Sequence, residues 1–198
     1  IKVVAMDLDG TLSQHKSPLP EKNIEMLNRL GEKYKRLMVG AGMCRRIFNQ
    51  MDHYPVDILG NYGLQYAEYN KETKDIDIIM DTVVPCDAPS VDKRVTQLRQ
   101  ETGYIEFAGE NTEFHASGCV TIPMLGTKAN PADKLAFDPD RRKRRSFYAR
   151  VKELFPEYNV VVGGSSSFDM VPAPYSKFYA LNKYAEEHGL KLDEIVYI

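Results

Sequence analysis

Two aspartates stand two residues apart after a short apolar run near the start of this 198-residue chain. Val3–Met6 is predicted to be a buried strand, and Asp7, Asp9, Gly10 and Thr11 follow it. Residues two apart along a strand point to the same side, so both carboxylates are expected to converge where the chain leaves the sheet. Two such carboxylates could hold Mg²⁺, which prefers oxygen ligands. One of them could attack phosphorus, because an aspartate can carry a transient phosphoryl group.

The first third of the chain is predicted to alternate between strands and helices. After the opening strand, Pro20 begins a helical pattern. The strands Leu37–Val39 and Asp57–Leu59 then flank a short helix over about 43–51. This βαβαβ order indicates a parallel sheet with right-handed crossovers. The active crevice of such a sheet lies beyond the carboxyl ends of its strands, where Asp7 and Asp9 are placed.

The middle of the chain has the pattern of a separate α+β unit. A hairpin of Gln65–Tyr69 and Ile76–Met80 comes first, and Pro85 and Pro89 then indicate a linker. Residues 90–172 combine helices with strands, which favours an inserted unit. The strands predicted there are Tyr104–Ala108, Glu113–His115, Cys119–Pro123, Asn159–Val162 and Phe168–Val171. The chain then returns to a helix after Ser176 and a strand over Glu194–Ile198, as in the first third.

Composition excludes several classes of function. The net charge of −2 and the pI of about 6.1 give no basic field for nucleic acid. No apolar run approaches the ~20 residues of a membrane span, and no signal peptide is visible. Three scattered cysteines suit a reducing cytoplasm and indicate neither disulfides nor zinc; Cys44 is interpreted as a small helix residue. The basic run Arg141–Arg145 is interpreted as a solvated helix face rather than a nucleic-acid patch.

The segment Asp7–Thr11 resembles the signature of the haloacid dehalogenase superfamily, most of whose members are Mg²⁺-dependent phosphotransferases. This resemblance implies that Asp7 is the nucleophile and Asp9 the general acid and base. It also implies that the Asp7 carboxylate and the Asp9 backbone carbonyl bind Mg²⁺. Thr11 and nearby backbone amides would then cradle the phosphate.

Four further segments resemble the eukaryotic-type phosphomannomutases, in order along the chain. They are Gly60–Tyr66, Phe114–Gly126, Gly163–Pro172 and Tyr175–Leu181. The resemblance implies that Lys177 is the active-site lysine, which holds the nucleophile and the phosphate together. It also implies that Ser167 and Asp169 bind the sugar from a cap domain.

The chain also departs from that family at phosphate-binding positions. The family places a hydroxyl after its second strand, where this chain reads Gly40–Met43; the candidate there is Gly42, whose backbone could bind an anion. The arginines that grip the second phosphate are replaced by Lys16, His115, Thr127 and Lys134. Arginine reads phosphate with two parallel hydrogen bonds, and these residues are not equivalent. A weaker grip favours release and hydrolysis over mutase action.

The family's last acidic metal ligand follows the strand that here ends at Ile198, the last residue of the sequence. The expected explanation is that the chain is cut short, and the alternative is a pseudoenzyme. Asp7 and Asp9 alone form an incomplete protein shell, although Mg²⁺ tolerates several waters.

The prediction is therefore an α/β, Rossmann-like core over residues 1–82 and 173–198, with a parallel sheet and an α+β cap over 83–172. The expected function is Mg²⁺-dependent hydrolysis of a phosphorylated sugar through an aspartyl-phosphate. The alternatives are a phosphomannomutase and a non-catalytic sugar-phosphate-binding pseudoenzyme. A cytoplasmic location and a homodimer formed through the cap are expected, with no nucleic acid or membrane partner.

Overall fold

The computed structural model describes residues 1–14 and 17–198, and these fold into two compact units. The core unit comprises Ile1–Thr82 and Tyr175–Ile198, and the insert unit comprises Val83–Pro174. The sequence-based boundaries were 82/83 and 172/173. Lys16, one of the predicted phosphate-binding residues, lies outside the described residues.

Besides two single-turn 3₁₀ helices, the described residues form ten strands and seven α-helices. In chain order they are β1 Val3–Met6, α1 Glu21–Gly31, β2 Lys35–Val39, α2 Cys44–Gln50, β3 Asp57–Gly60, β4 Gln65–Asn70, β5 Asp75–Asp81, α3 Ala88–Thr102, β6 Glu113–Phe114, β7 Val120–Pro123, α4 Pro131–Phe137, α5 Arg142–Ser146, α6 Tyr148–Leu154, β8 Tyr158–Val161, β9 Ser167–Pro172, α7 Lys177–Glu187 and β10 Ile195–Tyr197. None of the helices described is long and apolar enough to span a lipid bilayer.

The core unit is built on a six-stranded sheet of order β10-β1-β2-β3-β4-β5. The four strands from β10 to β3 run parallel, whereas β4 and β5 form an antiparallel hairpin at one edge. All four residues of β1 are buried, as expected for a central parallel strand covered on both faces. The predicted α/β class with a mostly parallel sheet is confirmed.

The register of the sheet brings the carboxyl ends of its central strands level with one another. Met6 lies opposite Met38, and Val39 lies opposite Leu59. On the other side of β1, the backbone amide of Asp7 donates to the carbonyl of Ile198 at 2.8 Å. The loops after β1 and β2 therefore leave the sheet side by side, and β10 ends beside Asp7.

The insert unit has a four-stranded antiparallel sheet of order β6-β7-β9-β8. One face of this sheet is apolar and packs against α3 and α6 in a closed cluster. The buried residues of that face are Val120, Ile122, Val160, Phe168 and Met170. Because side chains alternate along a strand, the intervening residues of β7 and β9 point to the opposite face.

The predicted strand Tyr104–Ala108 is wrong. The segment is irregular, and its polar backbone atoms bond to groups outside the sheet. Arg99 donates to the carbonyl of Tyr104 at 3.0 Å, and the amide of Ala108 donates to Leu125 at 2.9 Å. The apolar alternation of Ile105 and Phe107, which suggested a strand, instead leaves both side chains exposed.

The basic run Arg141–Arg145 is also only partly a solvated face. The Arg144 side chain is fully buried and forms an ion pair with the buried Asp138 at 2.9 Å. A break at Phe147 separates α5 from α6, so the run does not lie on one continuous helix. Burial of a charged pair needs additional hydrogen bonds, and these come from a neighbouring turn described below.

Candidate active site

Asp7 and Lys177 form an ion pair at the carboxyl end of β1. The Lys177 Nζ lies 2.8 Å from the Asp7 Oδ1, and the side chains are 26% and 23% exposed. The same carboxylate oxygen accepts a hydrogen bond from the Leu8 amide at 3.0 Å. A lysine at the first residue of a helix is opposed by the helix dipole, so the carboxylate is the group that compensates its charge.

The start of α7 is fixed in two ways, and both position Lys177. Ser176 caps the helix by accepting a hydrogen bond from the Tyr179 amide at 3.0 Å. Gly63 lies against the first turns of α7, where an added Cβ would be 2.6 Å from the Ala180 Cβ. Its φ of +92° is also a conformation that favours glycine. The segment Gly60–Tyr66 of the sequence analysis is thus a packing contact for α7.

Asp9 is held by two side chains of α2. The Arg46 Nη2 lies 3.1 Å from one carboxylate oxygen of Asp9, and the Gln50 Nε2 donates to the other at 2.8 Å. The Arg46 Nη1 also donates to the Gln50 Oε1 at 2.7 Å, which closes a three-residue network. Residues four apart lie on one helix face, and this explains why α2 can supply both groups.

Gln50 also fixes the loop that follows Asp9. Its amide nitrogen lies 3.2 Å from the Ser13 Oγ and 3.0 Å from the Ser17 carbonyl. The Gly10 amide donates to the Ser13 carbonyl at 2.7 Å. This compact turn holds Thr11 at the surface, where its side chain is exposed.

The segment after β2 offers fewer anion-binding groups than the sequence suggested. The Gly40 amide donates to the Leu59 carbonyl at 2.9 Å, so it is used by the backbone next to the sheet. The Cys44 amide donates to the buried Gln65 side chain at 2.9 Å. Gly42 has no side chain, and the guanidinium of Arg46 lies directly against it.

The thiol of Cys44 has the environment of a structural residue. It is buried, and burial raises its pKa to about 12. Its Sγ lies 3.4 Å from the Ile58 carbonyl. A neutral, inaccessible thiol is a poor nucleophile, which agrees with the interpretation of Cys44 as a small helix residue.

Three predicted substrate-binding residues share one face of the insert sheet. Thr121 lies opposite Asp169 in the register of β7 and β9, and Ser167 is two residues from Asp169 on the same side. His115 follows β6, and its Nε2 is 3.0 Å from the Thr121 Oγ1. This polar face is opposite the apolar face that forms the core of the insert unit.

The buried Arg144 supports the turn that leads into this polar face. Its Nη1 donates to the carbonyls of Gly163 and Ser167, the latter at 2.7 Å. Its Nε donates to Asp138 at 2.9 Å. Lys134, by contrast, lies on α4 and donates to the carbonyl of Thr127 at 2.9 Å, within its own loop.

Three of these functional candidates were missed by the sequence analysis: Arg46, Gln50 and Arg144. The spacing of Arg46 and Gln50 within a predicted helix was an available signal for a shared face. The burial of Arg144 had no comparable signal, because the break at Phe147 interrupts the helical periodicity between α5 and α6.

The oxygen atoms beside β1 fit Mg²⁺ in their chemistry. Within 1–14 and 17–198, no three His, Cys, Asp or Glu side chains are grouped as a metal site. Mg²⁺ is commonly held by one or two carboxylates together with water and substrate phosphate. Asp7 can supply such a carboxylate oxygen. Its contacts described above both use Oδ1, so Oδ2 is the oxygen that could face the metal. The Asp9 carboxylate, in contrast, bonds to Arg46 and Gln50.

Comparison with known sequences gives one partial likeness. No family model matches the chain. A stretch of 80 residues is 30% identical to phosphomannomutase from Saccharomyces cerevisiae, and it covers 38% of this chain and 31% of that protein. The chain therefore matches less than a third of the length of this curated relative.

Comparison with solved structures covers the whole chain. A haloacid dehalogenase-like hydrolase from B. subtilis has a TM-score of 0.63 at 13% identity, over 100% of this chain and 82% of that one. A phosphatase of the haloalkanoate enzyme superfamily from Bacteroides thetaiotaomicron gives 0.62 at 16% identity, over 100% and 76%. A subclass IIB sugar phosphatase gives 0.62 at 12% identity, over 100% and 80%. This chain has the fold of the haloacid dehalogenase superfamily, with an α/β core and an α+β insert.

Proposed function

We propose that this protein is a phosphotransferase of the haloacid dehalogenase type that hydrolyses a phosphorylated sugar, with Asp7 as its nucleophile. The observation that carries the proposal is the 2.8 Å ion pair between Lys177 and Asp7. A fixed ammonium beside a partly buried carboxylate can hold a dianionic phosphoryl group next to its attacker. The phosphatases that share the fold support the reaction class.

The reaction would proceed in two half-reactions. In the first, an oxygen of Asp7 attacks phosphorus, the bond from phosphorus to the sugar oxygen breaks, and Asp9 gives its proton to that oxygen. In the second, a water molecule attacks the aspartyl-phosphate and Asp9 takes up a proton. The bond from phosphorus to Asp7 breaks, and inorganic phosphate leaves. Lys177 stabilises the charge that develops on the phosphoryl oxygens in both.

We assign the Asp7 carboxylate and the Asp9 backbone carbonyl as the protein ligands of Mg²⁺. The contacts of the Asp9 carboxylate with α2 support this choice, because they direct its side chain toward Arg46 and Gln50. When bound, Mg²⁺ would neutralise charge on the transferring group.

The polar face of the insert sheet supports a sugar as the substrate's leaving group. His115, Ser167 and Asp169 present donors and acceptors of the kind that bind sugar hydroxyls. Thr11 is proposed to contact the transferring phosphate, and Lys134 a second phosphate. Hydrolysis is favoured over mutase action because a lysine binds phosphate less rigidly than the bidentate arginine it replaces.

Mutase action is the second candidate, and the partial identity to yeast phosphomannomutase favours it. Hydrolysis and mutase action are distinguished by incubating the full-length protein with mannose 1-phosphate and Mg²⁺, with and without a sugar bisphosphate activator. Release of inorganic phosphate that Asp7→Asn abolishes supports the phosphatase. Activator-dependent formation of the 6-phosphate supports the mutase instead.

The control for this experiment is Asp77→Asn, since Asp77 lies on the edge strand β5 and contacts only the nearby Asn70 among the contacts described. Its activity should equal that of the unaltered protein. Sugar-phosphate binding without either product would show a pseudoenzyme and contradict the proposal.

A further inference from the structure

The guanidinium of Arg46 fills the space that a side chain at position 42 would need. A Cβ placed on Gly42 would lie 2.1 Å from the Arg46 Nη2 and 2.3 Å from its Nε. Gly42 does not have a positive φ, so its backbone conformation does not require glycine. A side chain at this position would therefore have to displace the guanidinium of Arg46.

Arg46 is held in that space without using all its hydrogen-bonding capacity. Among the described residues, its contacts are with Asp9 and Gln50, through one nitrogen each. A guanidinium carries five N–H groups in a planar fork. Its side chain is 38% exposed, so donors remain accessible from solvent.

The position of this guanidinium is next to the reacting groups of the proposed function. Gly42 belongs to the loop after β2, and β2 pairs in parallel with β1, whose end carries Asp7. Arg46 is also in direct contact with Asp9. A dianion bound at Asp7 therefore lies in the field of both Lys177 and Arg46.

We infer that Arg46 is a phosphate-binding residue, which donates to the oxygens of the transferring phosphoryl group in place of a hydroxyl at position 42. The inference rests on the proposed function, because it needs a phosphoryl group at Asp7. The planar fork of arginine matches phosphate oxygens with two parallel hydrogen bonds. Before substrate binds, the contacts with Asp9 and Gln50 keep the guanidinium in place.

The first test measures the affinity for inorganic phosphate by titration calorimetry, in the presence and absence of Mg²⁺. Arg46→Met should weaken phosphate binding by about 10-fold to 100-fold, the usual effect of losing a charged hydrogen bond. Arg45→Met is the matched control. Its guanidinium is directed away, to Asp75 and the Ile76 carbonyl, so the affinity should not change.

The second test replaces the guanidinium of Arg46 by a hydroxyl at position 42. Gly42→Ser alone should weaken phosphate binding, because the new side chain would displace the guanidinium. Gly42→Ser combined with Arg46→Ala should bind phosphate more tightly than Arg46→Ala alone, because space is then open and a hydroxyl is present. Thermal melting of each variant separates loss of affinity from loss of folding, and Arg46→Lys provides a milder replacement.

The outcomes distinguish this inference from the proposed function. If Arg46→Met lowers kcat but leaves phosphate affinity unchanged, Arg46 acts only on Asp9 and the inference is overturned, while the phosphatase proposal remains. If the unaltered protein neither binds phosphate nor releases it from any sugar phosphate, both are overturned. If Gly42→Ser changes the phosphate affinity in the same direction with and without Arg46→Ala, the inference is also overturned.

Discussion

The Lys177 ammonium contacts the Asp7 carboxylate at 2.8 Å, although the two residues come from opposite ends of the chain. Along the sequence, the insert unit Val83–Pro174 separates them. The contact forms because α7 returns to the core sheet and begins at the carboxyl end of β1.

Replacement of Lys177 tests its electrostatic role. Lys177→Met should lower kcat for a phosphorylated sugar by about 10²-fold to 10³-fold, the usual effect of removing one group that stabilises transition-state charge. Lys183→Met is the matched control, since Lys183 lies on the same helix and pairs with the exposed Glu186 at 2.8 Å. Steady-state kinetics of both variants check the prediction, and equal losses would contradict it.

Replacement of Asp9 tests proton transfer to the leaving group. Asp9→Asn should lower kcat by about 10²-fold to 10⁴-fold for a sugar phosphate, because the alcohol oxygen then leaves unprotonated. The loss should be much smaller for p-nitrophenyl phosphate, whose leaving group is stable as an anion. Comparing the two substrates isolates general acid catalysis. The same loss for both would mean that Asp9 acts through structure alone.

Gly63 tests the packing that positions α7. Gly63→Ala should destabilise the protein by more than the ~1–2 kcal/mol of a left-handed conformation, because its Cβ would also overlap Ala180. Gly189→Ala is the matched control, with a φ of +61° and no atom within 4 Å of an added Cβ. Denaturant unfolding gives both values. A cost at Gly63 equal to that at Gly189 would show that α7 tolerates displacement.

Replacement of Asp138 tests the buried ion pair that supports the turn from Gly163 to Ser167. Asp138→Ala should cost about 3–5 kcal/mol, because Arg144 would be left buried and unpaired. Asp140→Ala removes the partner of the exposed Arg142 and should cost less than about 1 kcal/mol. Chemical denaturation of the two variants checks the difference.

The same pair predicts a dependence of stability on pH. Burial raises the pKa of Asp138. Hydrogen bonds from Arg144 and two backbone amides together lower it by a larger amount, so the pKa of Asp138 lies below its ordinary value. The pair therefore stabilises the fold at pH values above about 4, the pKa of an aspartate in an unfolded chain. That stabilisation is lost as the pH falls through the lower, folded pKa. Asp138→Ala should reduce this part of the acid dependence, and an unchanged acid profile would contradict it.

The parallel core could be predicted from the sequence because its determinants are local. The apolar runs Val3–Met6 of β1 and Leu37–Val39 of β2 are typical of strands that are buried on both faces. The turn residues of the β4–β5 hairpin and the capping serine of α7 are also local signals, and the structure has both features. The position of Asp7 at a strand end follows directly from this order of elements.

The groups around Asp9 could not be predicted because they depend on the rotation of a short helix. A seven-residue helix such as α2 takes its orientation from the sheet on which it packs, and only that orientation directs Arg46 and Gln50 toward Asp9. In the insert unit, too, tertiary contacts decide a feature that the local sequence does not reveal. The segment Tyr104–Ala108 has strand-like alternation but wraps the buried Arg99, whose hydrogen-bond requirements outweigh local propensity.

The central claim is that Asp7 carries the phosphoryl group during turnover. The most direct measurement is rapid acid quenching of the full-length protein during reaction with a ³²P-labelled sugar phosphate and Mg²⁺, followed by peptide mapping. The account predicts a hydroxylamine-sensitive phosphoryl label on the peptide that contains Asp7, and its loss in Asp7→Asn. Turnover without a label on that peptide, or with a label elsewhere, would contradict it.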